Sequence, residues 1–420
     1  MTKKISAFCL FIFVAVFSLF FVSCGASQTV VIWTDRPEVV SYVEFFNVTQ
    51  DKAKAVVVYK DNLATSLPPA KDEKRPDILI GSFLKNSRTK KNFAPLNGIL
   101  GTDQVDSLGI YDSLMEYGTV GGKQYLLPVS FNMPVMIFSA SKSPLVADSS
   151  LLDFFMLENI ASVFNAKNSH EIYTNMGFAP SWNSQFLYEY AKSFNAKIQE
   201  KGNVFSWNAE EMESIVSELK RWTSEKNTTT TAEQDFSFKY LYTPEHKQVQ
   251  SGKCLFAYTT SDSFFSLSPE QISDIDFRWL SNNGKVCVED EIVTLGVYRK
   301  SVNTARAFDF IIWLFSETTQ KNLLDRMAHM RLDTVPFGIC SGFSSIESVN
   351  EIVFPAYYKN LLGNLPEPES LSCPLPLPSR WLSLKERVVL PYLVDATKND
   401  ATVAVKTIEE RLTSWRKQFN

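Results

Sequence analysis

Apolar positions in this chain fall in short continuous runs separated by polar turns and by helical stripes. Thr29 to Trp33 (TVVIW) is an uninterrupted, β-branched run, the pattern of a strand buried on both faces. Asp35-Arg36-Pro37-Glu38 then supplies an N-cap and a proline for a first helical turn. Val39, Val43 and Phe46 follow at helical spacing, and Ala55 to Tyr59 (AVVVY) predicts a second strand. Strand, helix and strand in this order predict a βαβ unit winding right-handed onto a parallel sheet. Asp77 to Gly81 (DILIG) predicts a third strand. Ligands of such sheets gather at the carboxyl ends of strands, here Trp33-Thr34-Asp35, Asp61-Asn62 and Ser82-Phe83.

The pivotal stretch is Tyr117 to Ser139 (YGTVGGKQYLLPVSFNMPVMIFS). From Tyr125 to Phe138 it is apolar and β-forming, broken only by Pro128, Ser130, Asn132 and Pro134. Each proline removes a ladder donor and restricts the residue before it, so the run does not suit the middle of one sheet. Two readings fit: a single bent edge strand, or a strand that leaves one sheet near residue 130 and enters another. The second would join two lobes, with Ser130 and Asn132 as polar groups at the joint.

Further along, Asp148 to Phe164 and Pro180 to Ala191 predict helices and Glu171 to Met176 a strand. Asn208 caps the clearest helix, whose Met212, Ile215, Val216, Leu219 and Trp222 make one apolar stripe that belongs to a core. Lys226 to Gln234, with four consecutive threonines, predicts a polar connection. Gln248 to Tyr258 predicts a helix end followed by a strand, whose exit (TTSDSFF, from Thr259) suits the floor of a site. Strands at Phe277 to Leu280 and Thr294 to Tyr298, helices at Asn303 to Phe315 and Glu317 to Met327, a proline-rich stretch at 365–378 and an amphipathic helix at Ala401 to Phe419 complete the chain.

The first residues change the picture. Lys3 and Lys4 precede an apolar run from Ile5 to Val22, the form of an export signal and barely long enough to span a bilayer. Ser23-Cys24-Gly25 at its end resembles a bacterial lipobox with Phe21 where leucine is preferred, which predicts residues 1–23 as a lipoprotein signal and Cys24 as an acylated, palmitate-type anchor. Without Lys3 and Lys4 the formal net charge of −4 becomes −6, which argues against nucleic acid as a partner. Cys254, Cys287, Cys340 and Cys373 allow three disulfide pairings or buried thiols.

Familiar catalytic patterns are missing. His170, His246 and His329 stand far apart and in no metal-ligand spacing. No phosphate loop, dinucleotide fingerprint or G-x-S-x-G elbow occurs, so neither metal nor cofactor is expected. Asp35, Asp61 and Asp262 are acids from which a glycosidase pair would be drawn. Trp33, Phe83, Trp182 and Phe264 beside Asp, Asn, Ser and Thr at strand ends suit sugars, whose C–H faces stack on rings while hydroxyls pair with amides and carboxylates.

Taken in order, VVIWTD, RPDILIGSF, YLLPVSFNMPVMIFS, SGKCLFAYTTSDSFF and TLGVYRKSVNTARAFDFIIWLFSETTQKNLL resemble the family 1 extracellular solute-binding proteins, the sugar-type receptors of ABC importers. The resemblance implies a periplasmic-binding-protein-like α/β fold: two hinged lobes, crossed near residues 130, 288 and 332, with ligand between them. It assigns 24–130 plus 289–331 to a first lobe and 131–288 plus 332–420 to a second. It implies Trp33, Asp35, Ser82 and Phe83 on the first wall, Ser130 and Asn132 at the joint, and Trp182, Thr259, Asp262 and Phe264 on the second. A monomeric, non-enzymatic receptor follows, anchored on the periplasmic side of a membrane and delivering a carbohydrate-like solute to an ABC permease. Ser261-Asp262-Ser263-Phe264 departs from the family's Gly-x-Trp, which leaves the solute's identity open. A cell-envelope glycoside hydrolase and a receptor-fold surface protein without transport are the alternatives.

Overall fold

The computed structural model describes residues 29–419 apart from 102, 104, 105, 147, 148, 330–335, 401 and 403. The export signal, Cys24 and the crossing expected near 332 lie outside these residues. The predicted βαβ unit is present. Strand β1 (Thr29–Thr34), helix α1 (Glu38–Thr49) and strand β2 (Lys54–Tyr59) are followed by β3 (Ile78–Gly81), and both β2 and β3 run parallel to β1. Helix α1 lays Val39, Tyr42, Val43 and Phe46 on the sheet. Its N-cap is Pro37 rather than Asp35, because the helix begins only at Glu38 and the Asp35 carboxylate turns to Arg36 instead.

The pivotal stretch does change sheets. Strand β4 (Leu127–Phe131) belongs to a six-stranded sheet, and β5 (Pro134–Ser139) to a four-stranded one, with only Asn132 and Met133 between them. The second sheet also holds β6 (Leu151–Asp153), β7 (Ala257–Thr260) and β8 (Ile275–Ser281), in the order β7-β5-β8-β6. The chain returns to the first sheet as β9 (Val293–Val297) and again as β10 (Phe343–Ser344), giving the order β10-β4-β9-β3-β1-β2. Pro128 therefore lies inside a sheet, against expectation. The β4–β9 register shifts between Val293 and Thr294, next to the ladder position that proline leaves without a donor.

Two segments depart from the expected arrangement. After residue 332 the chain pairs first with the six-stranded sheet, Phe343 opposite Phe131 and Ser344 opposite Ser130. Leu151 to Asp153, expected as helix, is captured as a strand by β8, and helix α2 (Phe154–Phe164) starts only after the Asp153 cap. The threonine-rich connection is helical from Thr230, because the Thr229 hydroxyl accepts from Ala232 and Asn399 and Asp400 hold the next two threonines. The proline-rich stretch is ordered, and its Leu371–Ser372 pairs with Val286–Cys287 on the way from β8 to β9.

Alternation along β4 and β5 gives the joint two cores. Val129, Phe131, Met133, Val135 and Ile137 enter one, and Met136 and Phe138 the other. Behind the joint the sheets are bridged by aromatic rings: Phe265 stacks on Phe337 at 5.0 Å, and Trp279 meets Phe343 edge-on at 5.7 Å. All four later cysteines are free thiols, Cys254, Cys287 and Cys340 buried.

Candidate functional site

Between the sheets lies a cavity of about 490 Å³, within the size range of small-molecule sites. The first sheet contributes Arg36, just beyond β1, and Phe83, just beyond β3; the second contributes Thr259 and Thr260 of β7 with Asp262 and Ser263 after it. Its back is Asn132 at the first crossing and Glu289-Asp290-Glu291 at the second. These positions follow from strand polarity, since each side chain stands where a strand leaves its sheet.

Asn132 links three pieces of chain. Its Nδ2 donates to the Ser341 carbonyl at 2.8 Å, its Oδ1 accepts from the Ser261 hydroxyl at 2.6 Å, and its own carbonyl accepts from the Glu289 amide at 2.8 Å. The first crossing is thereby tied to the second, to the turn before β10 and to the second-sheet wall.

Asp290 is fully buried and held from the second-sheet side. Trp381 Nε1 donates to it at 2.7 Å and the Tyr188 hydroxyl at 3.1 Å, while Lys385 Nζ and Lys192 Nζ lie 3.4 and 3.7 Å away. Burial would raise its carboxyl, but Lys385, Lys192 and the two hydrogen bonds outweigh that and hold it below the ordinary value. Lys192 also meets Glu189 at 2.7 Å; burial would lower the ammonium, yet Glu189, Glu289 and Asp290 keep it well above the usual lysine range, while burial pushes the Glu189 carboxyl up to about 7 against the pull of Lys192. Glu291 faces the other way, 3.1 Å from Arg36 of the first sheet.

Arg36 also donates to the Ser82 hydroxyl and lies 3.2 Å from Asp35. Burial pushes the Asp35 carboxyl up to about 6, against the pull of Arg36 and the Ser82 amide. The native state thus binds a proton, between the ordinary 3.8 and about 6, that the unfolded chain does not. This group's contribution to stability is expected to fall as pH rises through that window. Denaturant titrations across it are expected to show the slope in the parent and lose it in Asp35→Asn; an unchanged slope refutes the assignment.

Of the ten residues expected at the site, Phe83, Asn132, Thr259 and Asp262 line the cavity. Asp35 and Ser82 lie behind Arg36. The remaining four lie elsewhere. Trp33 is fully buried under Lys60 because its side of β1 faces a core, and Phe264 packs on Phe265 and Phe277. Trp182 stacks on Phe236 and donates to the Glu233 carbonyl, and Ser130 is buried with its hydroxyl on the Cys340 carbonyl. Asp61 is exposed and outside the cavity, so the three acids considered for a glycosidase pair do not meet there. Arg36, Tyr258, Trp381, Lys385 and the acidic triplet 289–291 were not anticipated. The triplet carries a signal, three charges between the apolar runs Val286-Cys287-Val288 and Ile292-Val293. No set of three or more metal-ligating side chains occurs among the described residues.

No family model and no curated protein matches the chain. Solved structures do. The sugar-binding protein MalE from Xanthomonas citri aligns with a TM-score of 0.62 at 10% identity, over 93% of this chain and 96% of that one. CpMnBP1 with mannobiose bound aligns at 0.57 and 13%, over 93% and 99%. The ABC substrate-binding protein Lmo0181 from Listeria monocytogenes, in complex with cycloalternan, gives 0.57 and 13%, over 93% and 97%. This chain therefore has the two-lobed, periplasmic-binding-protein-like α/β fold that sugar-binding proteins of ABC transporters share.

Proposed function

We propose that the chain is a lipid-anchored, extracytoplasmic solute-binding receptor of an ABC importer, taking a sugar or similarly polar solute by closing two lobes over it. The observation that carries this reading is the cavity walled by Arg36 and Phe83 on one side and Thr259 and Asp262 on the other, with Asn132 and Glu289 at its back. A solute touching both walls favours the closed arrangement by its differential affinity. Amides, hydroxyls and carboxylates beside Phe83 and Tyr258 suit a polyhydroxylated ring. The first lobe is taken as the first-sheet residues including β10, so the second lobe's C-terminal share begins beyond Glu347, whose amide still donates to the Gly109 carbonyl, rather than at 332. Cys24 would hold the protein at the membrane; among the described residues no helix is long and apolar enough to cross one.

A thermal-shift screen of sugars and other polar solutes on protein lacking residues 1–24 tests this. A true ligand at a hundredfold excess over its Kd is expected to add about 2.7 kcal/mol of stability, with no turnover. Product formation would favour the hydrolase, and silence across a broad panel would favour a receptor fold without a ligand.

A further inference from the structure

We infer that the solute is positively charged: among polar solutes of one size, the cleft takes amine-bearing ones, amino sugars foremost, and rejects carboxylate-bearing ones. This rests on the cleft being the ligand site. Six carboxylates line the cavity against two cations, Arg36 and Lys385. Both cations are committed within the protein. Arg36 lies 3.2 Å from Asp35 and 3.1 Å from Glu291, and Lys385 lies 3.4 Å from Asp290. An incoming carboxylate thus finds no free partner and a wall of like charge.

The uncommitted charge is negative and comes from several pieces of chain. Asp262 stands beyond β7, Glu245 opens the helix Glu245–Gln250, and Glu386 follows Lys385; none of these carboxylates has a hydrogen bond or ion pair among the described residues. Among the described residues the Glu289 carboxylate, at the crossing, accepts only from the Tyr258 hydroxyl, at 3.3 Å. Carboxylates around a walled cleft focus a negative potential into it. An ammonium entering there exchanges hydration for charge-assisted hydrogen bonds. The Thr259 hydroxyl and the Asn183 amide nitrogen remain for neutral hydroxyl groups, and the rings of Phe83 and Tyr258 line the cavity beside them.

The test is calorimetric titration of the purified chain, slightly below neutral pH, with four probes. These are the β-1,4-linked disaccharides of glucosamine, of N-acetylglucosamine and of a uronic acid, and the acyclic amine spermidine. The glucosamine disaccharide is expected to bind about tenfold tighter than its N-acetylated counterpart, the gap shrinking with added salt, and the uronic disaccharide not at all. Asp262→Asn is expected to remove most of that gap. Equal or tighter binding of the neutral or acidic disaccharide overturns the charge inference and leaves the receptor reading standing. Binding of spermidine alone upholds the charge and overturns the carbohydrate class. Silence from all four overturns both.

Discussion

Asp290→Ala is expected to lower the unfolding free energy by about 3–5 kcal/mol, because it leaves the largely buried Lys385 ammonium without a carboxylate and Lys192 with Glu189 alone. Lys192 and Lys385 would keep their burial and lose the carboxylate between them, and Trp381 Nε1 and the Tyr188 hydroxyl would lose their acceptor. Glu291→Ala is the control: it removes a half-exposed ion pair with Arg36, worth under about 1 kcal/mol. Chemical denaturation of the parent and both variants decides it; equal midpoints for the two variants would refute the anchoring role. The pH sign follows from the same contacts. Because the native carboxyl is held below the ordinary 3.8, its contribution is complete above that value and lost as pH falls through the lower native one. Asp290→Ala is therefore expected to flatten the acid limb of the stability curve.

Trp33→Ala is expected to cost a similar ~3–5 kcal/mol, through a cavity in the core rather than through a lost solute contact. The ring is fully buried among Val31, Leu63 and Leu79, with Lys60 Nζ 4.2 Å from its centre. If the variant kept the parent's denaturation midpoint and only bound solute less well, this placement would be refuted. Asp262→Ala is the complementary case, a cavity-lining carboxylate without a partner among the described residues, whose loss should spare the fold.

The contrast between these two residues marks what the sequence could convey. Period and punctuation revealed much of the backbone: TVVIW read as a doubly buried strand, and Pro128 to Pro134 as either a bent edge strand or a strand with two allegiances, because both are local consequences of side-chain size and missing donors. Direction was harder. Trp33 and Phe264 stand at strand exits as a sugar platform would, yet the alternation of β1 and the turn after β7 send them inward, and only the tertiary arrangement decides which face is the cleft. Asp290 escaped notice for the same reason, since its partners at 188, 192, 381 and 385 are distant in the chain. Leu151 to Asp153 kept its helical pattern until β8 claimed it as a neighbour.

The discontinuous first sheet has a consequence for biosynthesis. Its interior strand, β9, begins at Val293, and β10 at Phe343, so β3 and β4 wait for neighbours translated long after them. Neither half is a contiguous segment that a truncated transcript would encode. A nascent chain stopped short of residue 293 leaves β4 unpaired on both edges and β3 on one, which makes premature termination an aggregation hazard.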